Sequence, residues 1–301
     1  MKDEVTSIDV NSISTSEIHQ ILLTAIAPRP IAFASTISEG GDVNLSPFSY
    51  FNVFSANPPI LIFSPARRVR DNTIKHTLEN VREVKEVVIN TVNYAMVEQT
   101  SLASTEYDKG VNEFIKSGLT PIDSIKVRPP RVKESPVSFE CVVDNIVELG
   151  DEGGAGNLII SRVVFIHIDN KYLDGNNLLD TKKLDHVARM GANWYTRVTE
   201  QSLFEIPKPI QTKGIGVDAL PKHIFKTNIL SANDIGRLGN AEKTPSEEDL
   251  HHFKKKSGIA KILKIWARDE KIAQLHKAAR SYLQKGNVDF ALKTLFSDDR
   301  L

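Results

Sequence analysis

Along the chain, the apolar positions first recur at helical spacing and then switch to alternation. Over residues 14–26, Ile18, Ile21, Leu22, Ala25 and Ile26 share one face of a helix. Ser14 and Glu17 have the spacing of a capping box, and Pro28 and Pro30 end the run. Short β-type runs follow. "IAFASTI" (31–37) leads into "SEGGDV", a hairpin turn through Gly40 and Gly41. "PILIFSP" (59–65) and "EVVINTV" (86–92) are further strands. "SFECVVDNIVEL" (138–149) and "NLIISRVVFIHID" (157–169) bracket "GDEGGAG" as one long hairpin. Helices are expected at about 73–83, 97–104 and 111–117. With many strands, few helices and no regular βαβ alternation, the pattern predicts a mainly β fold, an antiparallel barrel with helices.

The pattern changes near residue 206. "EIPKPIQTKGIG" (205–216) reads as a connection, and the chain beyond Ser246 reads as helical. Ile259, Ile262, Leu263 and Trp266, then Ile272, Leu275, Ala279 and Leu283, form apolar stripes. "GNVDFALKTLF" is a last short helix. The expected division is a barrel domain over 1–205 and a largely helical C-terminal extension over 206–301. No tandem repeat or low-complexity segment interrupts it.

Composition narrows the classes of function. The 301 residues are 41% apolar and 25% charged, as in soluble globular chains. Lys plus Arg and Asp plus Glu both number 38, which argues against general affinity for nucleic acid. Cys141 is the only cysteine, so an intramolecular disulfide and a multi-cysteine metal site are excluded. "MKDEVTSIDVNS" lacks the apolar core of a leader, and no apolar run approaches the ~20 residues that span a bilayer. A cytoplasmic protein is expected, with no membrane partner.

Candidate chemistry concentrates in residues 44–73. Arg67, Arg68 and Arg70 precede Asp71, Asn72 and Thr73, any of which is suited to cap the expected helix. A helix start beside arginines suits a phosphate, with Ser64 and Thr73 as further donors. A solvated basic turn is the competing interpretation. In "NLSPFSYF", Ser46 and Ser49 flank Pro47 and Phe48. Proline is expected to break sheet pairing there, freeing backbone groups for the edge of a planar ring. An ordinary edge strand with a buried aromatic fits the same residues. Together the two halves suggest a flavin mononucleotide.

"APRPIAFASTIS", "NLSPFSYFNVFSANPPILIFSP", "RRVRDNT" and "HVARMGANWYTRV" resemble the flavin reductase-like, FMN-binding split-barrel family, which includes flavoredoxin-type proteins. The resemblance covers about residues 20–200, and "GIGVDALPKHI" with "NDIGRLGN" resembles the extension of longer members. It implies an antiparallel split β-barrel, a homodimer, and FMN at or near the subunit interface. The matching flavin contacts are Thr36, then Ser46, Pro47, Phe48 and Ser49, then Ser64, Arg67, Arg70, Asp71 and Thr73. Arg189 and Tyr195 are implied near the cofactor or across the dimer. Position 70 is arginine where many relatives have lysine, which preserves the charge.

The implied activity is electron transfer from NADH or NADPH through FMN to a redox partner protein or small-molecule acceptor. Alternatives are a reductase that uses free flavin as substrate, a non-catalytic electron carrier, and a dimeric interaction module with a degenerate site. The remaining residues point elsewhere. Adjacent His251 and His252 diverge on a helix and do not suit a shared metal. His167 reads as a structural histidine in a strand, His186 as a site candidate, and Cys141 as a buried apolar group. "GDEGGAG" lacks the Lys and hydroxyl of a phosphate loop and reads as a flexible hairpin. The C-terminal stripes fit packing against the barrel or its dimer mate, or a partner-binding arm.

Overall fold

The computed structural model describes residues 5–206, 213–256 and 258–298. The middle of the connection expected at 205–216 lies outside those residues. The chain divides into two compact units, Met1–Phe204 and Glu205–Leu301.

Unit 1 is built on seven strands: β1 (Ala32–Ile37), β2 (Val43–Phe48), β3 (Phe51–Ala56), β4 (Pro59–Phe63), β5 (Glu86–Asn90), β8 (Val137–Glu148) and β9 (Asn157–Ile168). Short β6 (Pro121–Ile122) and β7 (Arg131–Val132) pair separately, as do β10 (Val187–Arg189) and β11 (Tyr195–Arg197). The large sheet has the order β2-β1-β5-β8-β9-β4-β3, with every neighbouring pair antiparallel. Its two edge strands, β2 and β3, are joined by only Ser49 and Tyr50. In a flat sheet the two edges would lie roughly 29 Å apart. From Phe48 to Phe51 the chain reaches at most roughly 11 Å. The sheet must therefore roll until its two edges come together at that turn, and because they form no ladder with each other the barrel is split between β2 and β3.

Alternation on β1 sets the two sides of the wall. Ala32 and Ala34 join the interior cluster with Phe48, Phe63, Val87, Ile89, Cys141 and Ile159. Phe33 faces the opposite cluster with Leu45, Met96, Phe114 and Val187. Helix α1 (Thr15–Ala25) begins with the expected Ser14–Glu17 capping box. Helix α2 (His76–Val84) contributes Leu78 and Val81 to the barrel interior. Helices α3 (Val97–Leu102) and α4 (Glu113–Ser117) lie beside β2, and Asn112 caps α4.

Unit 2 holds α5 (Ala232–Gly239), α6 (Glu247–Lys256), α7 (Ile259–Leu263), α8 (Arg268–Gln284) and α9 (Val288–Leu295). Leu220, Ile224, Leu238, Ala279, Leu283 and Leu292 share its main core. The expected apolar stripe breaks at Trp266, which is 98% exposed between α7 and α8. Among the described residues, no helix is long and apolar enough to cross a membrane.

Candidate functional site

The segment between β4 and α2 folds back on itself. Arg68 N–H donates to the Thr73 carbonyl (2.9 Å), and Asn72 N–H donates to the Arg68 carbonyl (2.9 Å). Asn72 turns the chain with φ 58°, a left-handed conformation that Asn tolerates. This corrects the expected helix start. The first helical residue is His76, after Lys75, and no side chain caps that turn. Asp71 instead accepts from Thr73, at its N–H (3.1 Å) and its hydroxyl (2.6 Å). That pairing and Arg70 hold the Asp71 carboxyl far below the usual carboxylate range.

The loop is braced from behind by "GDEGGAG". Arg67 N–H donates to Ala155 O (2.8 Å), and Gly154 N–H donates to Arg67 O (3.0 Å). Asn72 Nδ2 reaches Asp151 O (2.9 Å), and Asn157 Nδ2 reaches Pro65 O (2.9 Å). A Cβ on Gly153 would come within 3.0 Å of Val69 O, and one on Gly156 within 2.7 Å of Ser64 Oγ. These glycines permit the close approach of two backbones. The hairpin expected to be merely flexible is therefore a buttress, and composition alone carried no signal for it.

The three arginines have different duties. Arg67 is spent on its own loop, with Nε on Asn72 Oδ1 (2.6 Å) and Nη2 on Asn72 O (2.9 Å). Arg68 donates to Thr73 Oγ1 (2.8 Å), Ile74 O (2.7 Å) and Glu106 Oε1 (2.9 Å). Arg70 bonds Asp71 (3.0 Å) and also Glu106. Lys75 Nζ reaches the same carboxylate at 3.3 Å. Arg68 above all, with Lys75 and Arg70, holds the Glu106 carboxyl at about 2.

Beside this cluster is a polar hollow of about 20 Å³, lined in part by Ser46, Arg68, Lys75, His76, Glu106 and Glu113. Asn44 Nδ2 donates to Thr77 Oγ1 (2.9 Å), tying β2 to the start of α2. Burial raises the Glu113 carboxyl, against the pull of Leu45 N–H, which it accepts at 2.9 Å on the β2 edge. Pro47 does not interrupt that strand, contrary to expectation. It sits opposite Phe33 in an edge strand, where a missing N–H is tolerated.

The other expected contacts are distributed more widely. Thr36 is fully buried and its hydroxyl accepts from Asn80 Nδ2 (3.1 Å), so its side chain is spent inside the barrel. Phe48 faces the interior 5.4 Å from Phe63. Ser49 Oγ accepts from Arg29 Nε (3.3 Å), and Ser64 is buried against the Gly156 backbone. Arg29 was not expected to matter. It is buried, which lowers its pKa, and it donates to the carbonyls of Leu23, Ile26 (2.8 Å) and Met190 (2.8 Å). It thus ties α1, the β2–β3 turn and the segment after β10 together.

Arg189 and Tyr195 do not line the polar hollow. Their side chains stack on each other, with the guanidinium 4.6 Å from the ring centre. Tyr195 borders a second, more apolar hollow of about 210 Å³ with Tyr94, Val97, Val187 and Arg197. There Arg197 stacks on Tyr94 at 3.7 Å and pairs with Asp185 (2.7 and 2.9 Å). His186 Nδ1 lies 3.4 Å from Val92 O. His167 Nε2 lies 2.6 Å from Glu140, which also accepts from Ile125 N–H (2.8 Å) and Lys126 N–H (2.6 Å). Among the described residues no cluster of three or more metal-ligating side chains occurs.

The donor set around Glu106 suits a phosphate monoester. It offers two guanidiniums, an ammonium and an uncapped helix start, and it already holds a carboxylate. Comparison with known proteins bears on what such a phosphate would belong to. The flavin reductase like domain matches residues 24–187. An uncharacterized protein of Aquifex aeolicus (strain VF5) is 37% identical over 180 residues, 60% of this chain and 89% of that one. The uncharacterized protein YwrF of Bacillus subtilis (strain 168) is 31% identical over 194 residues, 64% of this chain and 94% of its own. Among solved structures, nitrilotriacetate monooxygenase component B from Bacillus cereus is similar at 28% identity and TM-score 0.63. That likeness covers 68% of this chain and all of the other. Flavoredoxin of Desulfovibrio vulgaris (Miyazaki F) shares the fold at 20% identity and TM-score 0.52, over 61% of this chain and 92% of its own.

Proposed function

The chain belongs to the flavin reductase like domain family, and from that premise we propose that unit 1 binds FMN and passes electrons from NADH or NADPH to a second acceptor. The observation that carries this reading is the cationic loop, where Arg68, Arg70 and Lys75 converge on one anionic group beside Ser46. FMN, when bound, supplies the chemistry of accepting a hydride and releasing electrons.

This chain's own residues do the holding. Arg68, Arg70 and Lys75 grip the phosphate, and Thr73 holds Arg68 and Asp71 in place beside it. Arg67 and the 150–156 turn keep the loop in shape. Ser46 and Ser49, with Pro47 and Phe48 between them, form the ring side on β2 and the turn after it. Phe48 stiffens that wall by packing on Phe63. Arg29 fixes the turn at Ser49 and so the spacing between ring side and phosphate side.

A homodimer belongs to the same reading. Edge strand β3 exposes Val53 (63%) and Phe54 (64%), an apolar sheet edge of the kind that association covers. Arg189 and Tyr195 are then placed to close the site from the second copy. The acceptor is a small molecule or a protein partner, in a reducing, cytoplasmic setting.

Reconstitution with FMN, followed by anaerobic mixing with NADH and with NADPH, tests this. The expected result is a yellow protein bleached by at least one nicotinamide. A yellow protein that neither one bleaches, but a reduced protein partner does, is a carrier. A protein that reduces added flavin and releases it uses flavin as a substrate. Failure to retain or reduce any flavin removes the reading.

A further inference from the structure

The geometry points to a second role in the cationic loop. We propose that Glu106 is an internal competitor for the phosphate position, displaced when a phosphate monoester binds, so that it loosens the hold on a phosphorylated flavin and leaves the hold on an uncharged flavin unaffected. This rests on the flavin reading above.

Three observations lead to it. First, Glu106 occupies the place where the cations converge: Arg68, Arg70 and Lys75 all bond its carboxylate. Second, room is short. The hollow holds about 20 Å³, enough for about one water. A phosphate has five heavy atoms, more than the hollow encloses while Glu106 stays. Third, among the three cations and the two carboxylates bonded to them, charge balances only after exchange. Asp71 remains tied to Arg70 and Thr73, which offsets one of the three cations. The two charges left over match a phosphate monoester, which carries about −1.5 to −2 at neutral pH. With Glu106 retained, the dianion would lie beside a carboxylate on a site already half neutralised.

Displacement has a route. Glu106 lies in the segment between α3 and α4, outside any helix or strand, and its side chain is 35% exposed. Rotation about its own side-chain bonds carries the carboxylate into water without moving the barrel. Riboflavin lacks the phosphate and has nothing to offer the cations in exchange.

The test is Glu106→Gln, which keeps shape and removes charge. Affinities of native protein and variant are measured for FMN, for riboflavin and for inorganic phosphate alone, with a thermal melt confirming the fold. The expected result is about tenfold tighter binding of FMN and of inorganic phosphate, with riboflavin unchanged. Equal or weaker phosphate and FMN binding would overturn the proposal, because Glu106 would then be arranging the cations rather than competing for them. Equal tightening of riboflavin overturns it as well, since the gain would not come through phosphate. If neither protein binds any flavin, the flavin reading fails on its own, and the inorganic phosphate measurement still decides for or against displacement.

Discussion

Arg67 and Arg68 are neighbours in the sequence and unlike in the structure. The Arg67 side chain bonds its own loop at Asn72, whereas that of Arg68 reaches Thr73 and Glu106. Sequence reading chose Arg67 and Arg70 for the phosphate, because spacing alone does not say which of three arginines points where. In the structure it is Arg68, Arg70 and Lys75 that converge, on Glu106, and the proposed phosphate grip follows them. Arg68→Ala should therefore weaken FMN binding by about a hundredfold, near the ~3 kcal/mol upper range for a hydrogen bond to a charged group. Riboflavin binding should change much less, and fluorescence titration of both flavins separates the two effects. Cys141 makes a second prediction at this scale. Burial pushes its thiol well above the ordinary range, so a thiol reagent should label it only as the barrel unfolds. Labelling followed along a urea titration checks this.

Among the elements, β1, β4, β5, β8, β9 and α1 were legible because period and caps are local. The Ser14–Glu17 box and the β1–β2 hairpin follow from residues three or four apart. The start of α2 was not, because Asp71 bonds Thr73 and Asn72 turns the chain before any helix forms. The β8–β9 turn was legible as a turn but not as a support, since its partners lie some eighty to ninety residues earlier. Gly156→Ala should show this support. Its Cβ would meet Ser64 Oγ at 2.7 Å, and the resulting shift should cost about 1–3 kcal/mol and weaken FMN binding together. A urea midpoint and a flavin titration on the same variant read both. Glu140→Ala should separate them. It leaves the N–H groups of Ile125 and Lys126 without their acceptor, at a cost on the order of 3 kcal/mol, while flavin affinity holds.

At the scale of the whole molecule, the two units answer to different chemistry. Unit 2 lies outside the family match and contains a buried histidine pair, with His223 Nδ1 2.9 Å from His276 Nε2. His223 Nε2 faces the Leu295 carbonyl (3.2 Å), so it carries the proton and its Nδ1 accepts from His276. Burial first, and the neighbouring His223 second, lower His276 from 6.5 to about 4. The folded pKa is depressed, so the unfolded chain takes up protons first as pH falls. Stability from this residue is complete above pH 6.5 and declines towards pH 4, by about 3 kcal/mol in all. Melting of unit 2 across that window checks it, and His276→Gln should flatten the slope. A chain ended at Glu205 should still retain flavin, because the cationic loop and its supports all lie in unit 1.

By itself the sequence determined the longest strands and α1, the mainly β character of the first two hundred residues and the segment that carries the candidate chemistry. Those features depend on period, caps and clustered residue types, all local along the chain. Only the tertiary structure decided which arginines converge, that Glu106 lies among them and that the 150–156 turn supports them. These depend on contacts between residues some thirty to ninety positions apart. The barrel brings such residues together by closing its sheet, because Ser49 and Tyr50 are too short a link to leave its edges apart.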